Sequence, residues 1–398
     1  MKILFVSPTL PHAQVISGSI IVHNRIKLLA QRGYEVALAC FMGPGDETYV
    51  PDLKPMMRQM EFVQRPRRPG RVRRFVDYFA GLPAPFSDVE SDAMQRLVGF
   101  MVERYHYDVV LAEFAVMGQF LYRNPYLPAT RRIISCHSCL TMAFQKAMDL
   151  QRHSLQAWRK RLVLKRLQEF EFGAYRNADL TLALTSQERL DLLKYEPNLR
   201  IAVIPYGVDV EHYQPRPQQD SEESLVFTGY YSDEPNRDAV MWFAHTVWPG
   251  LRARHPNLRF YVIGRNPTSD IRELSRKDPR IEITGEVADV APYLARARIY
   301  ICPMRMGTGF RGKILQAMAS GVPVVSTTLA AEGISAENGS NIILADTPHV
   351  MAESIDMLLA DADLRRAVAR NARDMVVKRF SWQHCVDKLE DVLREIVR

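Results

Sequence analysis

A glycine-rich segment in the second half of the chain has the composition of an anion-binding loop. In PMRMGTGFRGKILQAMASGVPVVST (303–327), Gly307, Thr308 and Gly309 follow an apolar run that predicts a strand. Two of these loop residues lack a Cβ, so their backbone can approach a bound anion closely. A helix predicted to begin near Phe310 would aim its N–H groups and positive dipole end at the loop.

Two basic residues stand at the start of the same predicted helix. Arg311 and Lys313 would lie within its first turn, where cations are unfavourable unless a bound anion offsets the repulsion. The pattern therefore favours a diphosphate site. A basic turn exposed to solvent is the alternative.

Weaker candidates follow the neighbouring predicted strands of the same half. Arg237, at the end of GYYSDEPNR, could reach a phosphate or a sugar, although a single arginine is more often a surface residue. Gly264 with Arg265, and then Glu286 with Val287, follow the next two strands and would flank a nucleotide base. Ordinary turn chemistry explains these residues equally well.

In the first half, three residues lie where loops leave predicted strands. Gly18 is in the loop after the first strand, where backbone can meet a ligand, while Glu113 and His137 follow later buried strands. The carboxyl ends of parallel strands form one edge, so both side chains should face the same cleft. A lone buried His is often structural, and that alternative stays open.

Strands alternate with helices along almost the whole chain, which predicts an α/β protein with parallel sheets covered on both faces. A length of 398 residues suits two domains. Ser87 with Glu90 predicts a capping box for the helix that ends at Tyr105. An amphipathic helix is expected over 155–174, with Leu162 on its buried apolar stripe. The expected domains are 1–207, a Pro-rich polar linker at 208–224, 225–378, and a C-terminal helix at 379–398.

Composition is that of a globular protein, with 47% hydrophobic and 24% charged residues. No apolar run reaches the roughly 20 residues of a membrane span. The apolar start resembles a buried strand more than a secretory signal, so a cytoplasmic protein is expected. The five Cys predict no disulfide framework, and Cys136-x-x-Cys139 has no further ligands at zinc-site spacing.

The net charge of +7 is concentrated in two clusters, at 58–75 and 151–166. Such clusters favour an anionic partner, which could be nucleic acid, a lipid surface or a phosphorylated substrate. No nucleic-acid-binding module is recognisable, so nucleic acid is not expected. Peripheral contact with an anionic membrane remains an expectation, with a solvated basic face as its alternative.

Several motifs in order resemble the retaining glycosyltransferases with two facing Rossmann-like domains, called group 1 or family 4. The resemblance is closest to bacterial members that build exopolysaccharides or lipid-linked glycans. It covers nearly the whole chain. The segments that carry it are VIPYGVDVEHYQP, VFTGYYSDEPNRDAVMWF, VIGRNP, ITGEVADVAPYLARARIYICPMRMGTGFRGKILQAMASGVPVVST, LAAEGI and the final FSW helix.

The resemblance implies a nucleotide-sugar donor site in the second domain and a glycan, lipid-linked or small-molecule acceptor site in the first. It also implies that the last helix crosses back to pack on the first domain. Gly18 would contact the donor diphosphate, and His137 the transferred sugar near the reacting carbon. Arg311 and Lys313 match basic positions near the diphosphate. The implied reaction is same-face displacement with retention of anomeric configuration and with no metal ion or other cofactor, because the helix dipole and basic side chains stabilise the leaving group.

Two positions depart from the family pattern. Gln316 stands where a Glu normally accepts hydrogen bonds from ribose hydroxyls, and GYYSDEPNR lacks the Lys that many relatives pair with Arg. Gln316 favours the alternatives of a non-catalytic sugar-nucleotide-binding relative or a partner subunit. A sugar-nucleotide epimerase, which would use the same two-domain fold, is a further alternative.

Overall fold

The computed structural model describes residues 1–12, 18–149, 157–215, 223–307 and 309–398. They form two compact units. The first contains Met1–Pro205 and Val386–Arg398, and the second contains Tyr206–Cys385. The division falls inside the last helix.

The first unit is built on a seven-stranded sheet whose recorded pairings are all parallel. Its strand order is β3-β2-β1-β4-β5-β6-β7, so the direction of winding reverses between β1 and β4. The strands are β1 (Lys2–Ser7), β2 (Glu35–Met42), β3 (Gln59–Gln64), β4 (Val109–Glu113), β5 (Arg131–Ser135), β6 (Leu180–Ala183) and β7 (Ile201–Val203).

Helices and apolar side chains cover both faces of this sheet. Successive residues of β1 point to opposite faces, so Leu4 joins one core cluster while Ile3 joins the other. The end of the last helix, from Val386 on, packs into the cluster that contains Ile3. The helices are α1 (Gly18–Gln31), α2 (Val50–Leu53), α3 (Arg71–Phe79), α4 (Ala84–Ser87), α5 (Asp92–Tyr105), α6 (Leu140–Asp149), α7 (Ala157–Asn177) and α8 (Ser186–Tyr195), with 3-10 turns at Asp46–Tyr49, Lys54–Met56 and Ala115–Phe120.

The second unit has a six-stranded sheet in the order β10-β9-β8-β11-β12-β13, again with parallel pairings. Its winding reverses between β8 and β11. The strands are β8 (Ser224–Thr228), β9 (Arg259–Ile263), β10 (Ile281–Gly285), β11 (Ile299–Cys302), β12 (Val324–Ser326) and β13 (Ile343–Leu344). The helices are α9 (Glu234–Thr246), α10 (Trp248–Arg254), α11 (Ser269–Lys277), α12 (Ala291–Arg296), α13 (Gly312–Ala319), α14 (Pro348–Ala360), α15 (Ala362–Phe380) and α16 (Trp382–Val397).

The expected α/β class with two Rossmann-like parallel sheets is confirmed. Within the expected linker, Val208 pairs with Ser381 in the second unit, while residues 216–222 lie outside the described residues. No helix among the described residues has the length and apolar character needed to cross a bilayer.

Two local predictions are wrong. Ser87 does not cap the helix that reaches Tyr105, because it ends α4 and its hydroxyl is hydrogen-bonded to Asp77. Ser91 is the cap, accepting from the Met94 N–H. In α7, Leu162 was expected on the buried stripe but is half-exposed.

Candidate functional site

In the first unit, the winding reverses between β1 and β4, and the start of α1 lies beside the end of β4. In open α/β sheets this is where ligands bind. Glu113 ends β4 and is paired in register with Ser135, the last residue of β5. His137 follows two residues later, so both predicted side chains lie at this edge.

Glu113 is fully buried and forms an ion pair with Arg25 of α1. The Arg25 Nη1 lies 2.9 Å from both carboxylate oxygens and 2.9 Å from the Ser135 hydroxyl. A buried charge needs such a partner, because desolvation without one costs several kcal/mol. Glu113 was expected to face an acceptor. Both of its carboxylate oxygens instead accept hydrogen bonds from protein groups, so any effect of Glu113 on a ligand would pass through one of those groups.

One of those groups is His137, whose Nε2 lies 2.6 Å from the Glu113 carboxylate. The Phe114 ring stacks on the imidazole with centroids 4.0 Å apart. Both aromatic residues have positive φ angles, 72° for Phe114 and 53° for His137. Such backbone is uncommon outside glycine and is found at sites whose surroundings enforce it.

The electrostatics assign a protonation state to this group. Burial would raise the pKa of Glu113, but the Arg25 charge and the His137 hydrogen bond outweigh it and hold that pKa at about 2. Burial lowers the pKa of His137, with Glu113 opposing this shift. His137 is therefore neutral at pH 7, with its Nε2–H donating to the carboxylate and its Nδ1 left as an acceptor.

Gly18, the first residue of α1, lies directly against this pair. A Cβ there would sit 2.3 Å from Phe114 Cζ and 3.2 Å from His137 Nδ1. Only glycine fits without moving the rings, so the start of α1 is held close to the acceptor atom of His137. The preceding residues, 13–17, are not described.

In the second unit, the corresponding reversal lies between β8 and β11, and the loop after β11 leads into α13. Gly307 and Gly309 have positive φ angles of 101° and 89°, which explains why glycine occupies both positions. Thr308 lies outside the described residues. The helix begins at Gly312, two residues later than predicted, with Arg311 at its N-cap position.

Arg311 is buried, and its guanidinium lies beside Gly307, where an added Cβ would be 3.2 Å from Nη2. Its Nη1 donates to the Gly309 carbonyl, while its buried Nε has no partner among the described residues. Burial lowers the pKa of Arg311 from its ordinary value. The guanidinium still carries its charge, because arginine does not deprotonate in proteins.

Lys313, in the first turn of α13, directs its ammonium group at the end of β8. The Nζ atom donates to the Thr228 carbonyl at 2.7 Å and to Asn236 Oδ1 at 2.6 Å, and lies 4.6 Å from the centre of the Phe227 ring. Burial lowers the pKa of Lys313 to about 8, and the nearby Arg311 contributes to this lowering.

Among the described residues, no carboxylate lies within ion-pair distance of either cation. Neither Arg311 nor Lys313 forms an ion pair with any described Asp or Glu, although both lie next to the positive end of α13. Uncompensated positive charge at a helix N-terminus is the arrangement that binds a phosphate or diphosphate. The expected basic positions are thus brought together with the glycine loop.

Gln316 is one turn further along α13 and is 5% exposed. Its side chain is hydrogen-bonded with the Tyr213 hydroxyl, while its buried Oε1 has no partner among the described residues. A buried acceptor without a donor is uncommon in proteins and marks a place where a hydroxyl could bind. Gln316 and Lys313 are three residues apart and share one face of the helix.

The other predicted donor-site residues surround this loop less directly. Gly264 has a φ of 142°, and a Cβ there would fall 1.8 Å from the Gly229 carbonyl oxygen, so these loops touch. Arg237 is exposed and paired with Asp270 at 2.7 Å. The remaining positions are Arg265 with Glu286, an exposed ion pair at 2.8 Å; Val287, half-buried; and Phe310, stacked on Tyr206.

Sequence reasoning missed Arg25, Asn236 and Tyr213. Arg25 did carry a signal, because it interrupts an apolar stripe of α1 at a position that should face the core. Asn236, a partner of Lys313, gave no signal in the sequence, since an Asn in the first turn of a helix is common.

The described residues contain no group of three or more His, Cys, Asp or Glu side chains arranged to hold a metal ion. Cys136 is instead in contact with the Tyr175 hydroxyl at 3.2 Å, and Cys139 with Glu171. Burial raises the pKa of both thiols well above the usual range.

Comparison with known proteins yields two family matches. The profile described as Glycosyltransferase Family 4 matches residues 18–212, and the profile described as Glycosyl transferases group 1 matches residues 222–361. Together these ranges take in most of the chain and both candidate sites.

Curated relatives are distant. A phosphatidyl-myo-inositol mannosyltransferase of Mycolicibacterium smegmatis is 28% identical over 188 residues, which are 45% of this chain and 48% of that protein. A D-inositol 3-phosphate glycosyltransferase of Corynebacterium jeikeium is 27% identical over 249 residues, 55% of this chain and 58% of that protein. The chain thus spans about half the length of these relatives.

Solved structures share the fold over the whole chain. Sucrose-phosphate synthase from Thermosynechococcus elongatus superimposes with a TM-score of 0.72 at 18% identity, covering 99% of this chain and 98% of its own. Anabaena HepE, in its crystal structure with UDP, gives 0.71 at 15% identity, covering 99% and 100%. At these identities the likeness shows the two-Rossmann-unit, GT-B fold alone.

Proposed function

Because this chain belongs to the group 1 and family 4 glycosyltransferases, we propose that it transfers a hexosyl group from a nucleoside-diphosphate sugar, with retention of anomeric configuration and without a metal ion. The bond from C1 to the diphosphate oxygen breaks, and a bond from C1 to the acceptor oxygen forms on the same face. The acceptor's proton passes to the departing phosphate oxygen.

The single observation that carries this proposal is the pair of buried cations, neither in a described ion pair, at the start of α13. Arg311 and Lys313 lie beside a loop with two positive-φ glycines and have no carboxylate partner among the described residues. A diphosphate that gains negative charge as C1–O breaks would be stabilised by both cations and by the helix dipole. Fixed donors of this kind do the work that a divalent metal does in other transferases.

Gln316 in the second unit and His137 in the first each offer an acceptor of the kind that a sugar hydroxyl needs. The buried Gln316 Oε1 is an acceptor suited to a ribose hydroxyl. In the first unit, the unprotonated Nδ1 of His137 is an acceptor suited to a hydroxyl of the sugar being transferred. A neutral imidazole does not oppose the positive charge that develops on the sugar ring.

The acceptor would be a glycan, a lipid-linked glycan or a small hydroxyl compound. The family resemblance implies this range, and the names of two relatives, a phosphatidyl-myo-inositol mannosyltransferase and a D-inositol 3-phosphate glycosyltransferase, support its lipid and small-molecule members. Among donors, UDP-glucose is the first to test, because Anabaena HepE has been crystallised with it.

The decisive experiment is a panel of nucleotide sugars, scored for thermal stabilisation and for release of the nucleoside diphosphate, with and without EDTA. We expect one donor to stabilise the protein, as any ligand specific for the native state must, and to turn over in EDTA. The anomeric configuration of the product is read from its proton NMR couplings.

Three results would count against the proposal. Loss of turnover in EDTA would overturn the metal-independent mechanism, and an inverted product would overturn retention. Donor binding without transfer or hydrolysis, under any acceptor, would identify a sugar-nucleotide-binding relative.

A further inference from the structure

Helix α3 exposes an apolar stripe that no described residue covers. Val72 is 79% exposed, Phe75 65%, Val76 55% and Phe79 66%. Their spacing of three, four and seven residues places them on one face of the helix. The two phenylalanine rings meet edge to face with centroids 4.8 Å apart, so they form one continuous surface.

The opposite side of α3 is fastened to the rest of the unit by polar contacts. Asp77 is buried and accepts from the Ser87 hydroxyl at 2.5 Å, while Arg73 pairs with Glu90 at 3.2 Å. Arg74 pairs with Asp88 at 2.7 Å. These contacts orient the helix, so the apolar stripe faces outward as a feature of the folded unit.

A basic segment leads directly into this helix. Arg65, Arg67 and Arg68 are exposed, and none forms an ion pair with a described residue. By contrast, the charges of Arg73 and Arg74 are balanced by their carboxylate partners. The uncompensated positive charge of the 58–75 cluster is therefore concentrated just before the apolar stripe.

We propose that α3 and the preceding arginines dock this protein on an anionic lipid surface. The nine-residue helix is far too short to span a bilayer. It would lie in the interface, with Phe75 and Phe79 at the boundary of headgroups and acyl chains and the arginines among the phosphates. Surface docking goes beyond the proposed transfer reaction and does not depend on it.

Charge decides between lipid and the other possible occupants. A second copy of this chain would bring two sets of three arginines together, which like-charge repulsion opposes. An anionic bilayer supplies an apolar layer for the phenylalanines of α3 and negatively charged headgroups for the three arginines beside them. The apolar stripe also distinguishes docking from a merely solvated basic face, because solvation does not require exposed phenylalanines.

The second basic cluster contributes nothing to this argument. Its residues 151–156 are not described, and Leu162 is a single exposed leucine of the sort found on most surfaces.

The test is co-sedimentation of the full chain with vesicles of phosphatidylcholine, with or without phosphatidylglycerol, at rising salt. We expect binding that requires phosphatidylglycerol and weakens with salt. Replacing Arg65, Arg67 and Arg68 with Gln should weaken it by roughly 100-fold, about fivefold for each arginine. The Phe75→Ser/Phe79→Ser variant should weaken it about tenfold or more for each ring, even at low salt.

Matched controls separate location from composition. Phe100 of α5 is 57% exposed, so Phe100→Ser removes a comparable ring from another surface. Replacing Arg276, Arg370 and Arg379 with Gln removes the same charge from exposed positions of the second unit. Both controls should bind vesicles like the wild type. All these positions are exposed, and unchanged thermal unfolding will verify that the variants fold.

An insertion readout completes the design. In Phe79→Trp, brominated lipid should quench fluorescence beyond the quenching of the native tryptophans. Wild-type binding by the α3 variants, no binding to anionic vesicles, or absence of this quenching would overturn the proposal. A dimer that dissociates in Phe75→Ser/Phe79→Ser without vesicle binding would assign the stripe to a second copy instead.

Discussion

Replacing Glu113 with Gln should destabilise the first unit severely, because it leaves Arg25 buried without a counter-charge. The pair is 2% and 0% exposed, so water cannot take over the role of the lost carboxylate. Lowering the pKa of Glu113 from 4.5 to about 2 corresponds to about 3 kcal/mol of stability at neutral pH. Breaking a buried ion pair costs roughly 3–5 kcal/mol in other proteins, which agrees.

The measurement is the midpoint of thermal unfolding of the first unit, followed by calorimetry at pH 7. For a unit of this size, about 2–4 °C per kcal/mol gives an expected decrease of roughly 6–20 °C. Glu169→Gln is the matched control, since its ion pair with Arg166 is about half exposed. That substitution should cost less than about 1 kcal/mol.

A double variant tests the cause. Arg25→Met together with Glu113→Gln removes both charges, so it should be more stable than Glu113→Gln alone. If the double variant is no more stable than the single one, the buried charge is not the source of the loss. If Glu113→Gln unfolds within about 2 °C of the wild type, the ion pair does not have the burial that the structure shows.

The remaining predictions concern the donor site and pH. Lys313→Ala and Arg311→Ala should each weaken donor binding about 10- to 150-fold by calorimetric titration, and unchanged affinity in both would remove the diphosphate assignment. Because Lys313 has a pKa near 8, donor affinity should fall as pH rises through that value, and this decline should be absent in Lys313→Ala. Gln316→Glu should tighten donor binding about tenfold through a charge-assisted bond to ribose, with kcat little changed; an unaltered Kd would show that Gln316 does not touch the ribose. His137→Ala should lower kcat more than it weakens donor binding, and an unchanged kcat would leave His137 with a structural role. The free energy of unfolding should decrease in two steps as the pH is lowered. Below about pH 6.5, His137 gains a proton in the unfolded chain but not in the folded one. Between about pH 4.5 and 2, Glu113 becomes protonated and its ion pair is lost.

The sequence alone determined the class of fold and the strand ends at which the candidate site residues lie. Buried strands such as β1 read as continuous apolar runs, and a run of that kind between helices implies a parallel sheet covered on both faces. The loop around Gly307 was also predictable from the sequence, because glycines just before a helix are a local pattern. Their positive φ angles in the structure agree with it. A structural feature can be predicted from the sequence when the residues that determine it are neighbours in the chain.

Tertiary structure decided what those residues do to one another. Glu113 and Arg25 are 88 residues apart, so no spacing rule could pair them. The sequence placed Glu113 and His137 at one edge of the sheet, but only the folded unit shows that they are hydrogen-bonded to each other. Parallel strands bring their ends together only once the sheet order is known, and the placement of β1 beside β4 sets α1 over the end of β4. The capping residue was also decided by long-range contact, since Asp77 holds the Ser87 hydroxyl and leaves the cap to Ser91.

The role of Glu113 shows the physical reason most clearly. In the sequence, a carboxylate at the end of a strand predicts a side chain directed at a substrate, because an unpaired charge is stable only in contact with water or a ligand. In the folded unit the same carboxylate has no access to water, and its free energy is lowered by a guanidinium and an imidazole from two other elements. The burial of Glu113 and the identity of its partners depend on the packing of the whole unit. Because of them, a residue that was expected to face a substrate instead holds the imidazole of His137.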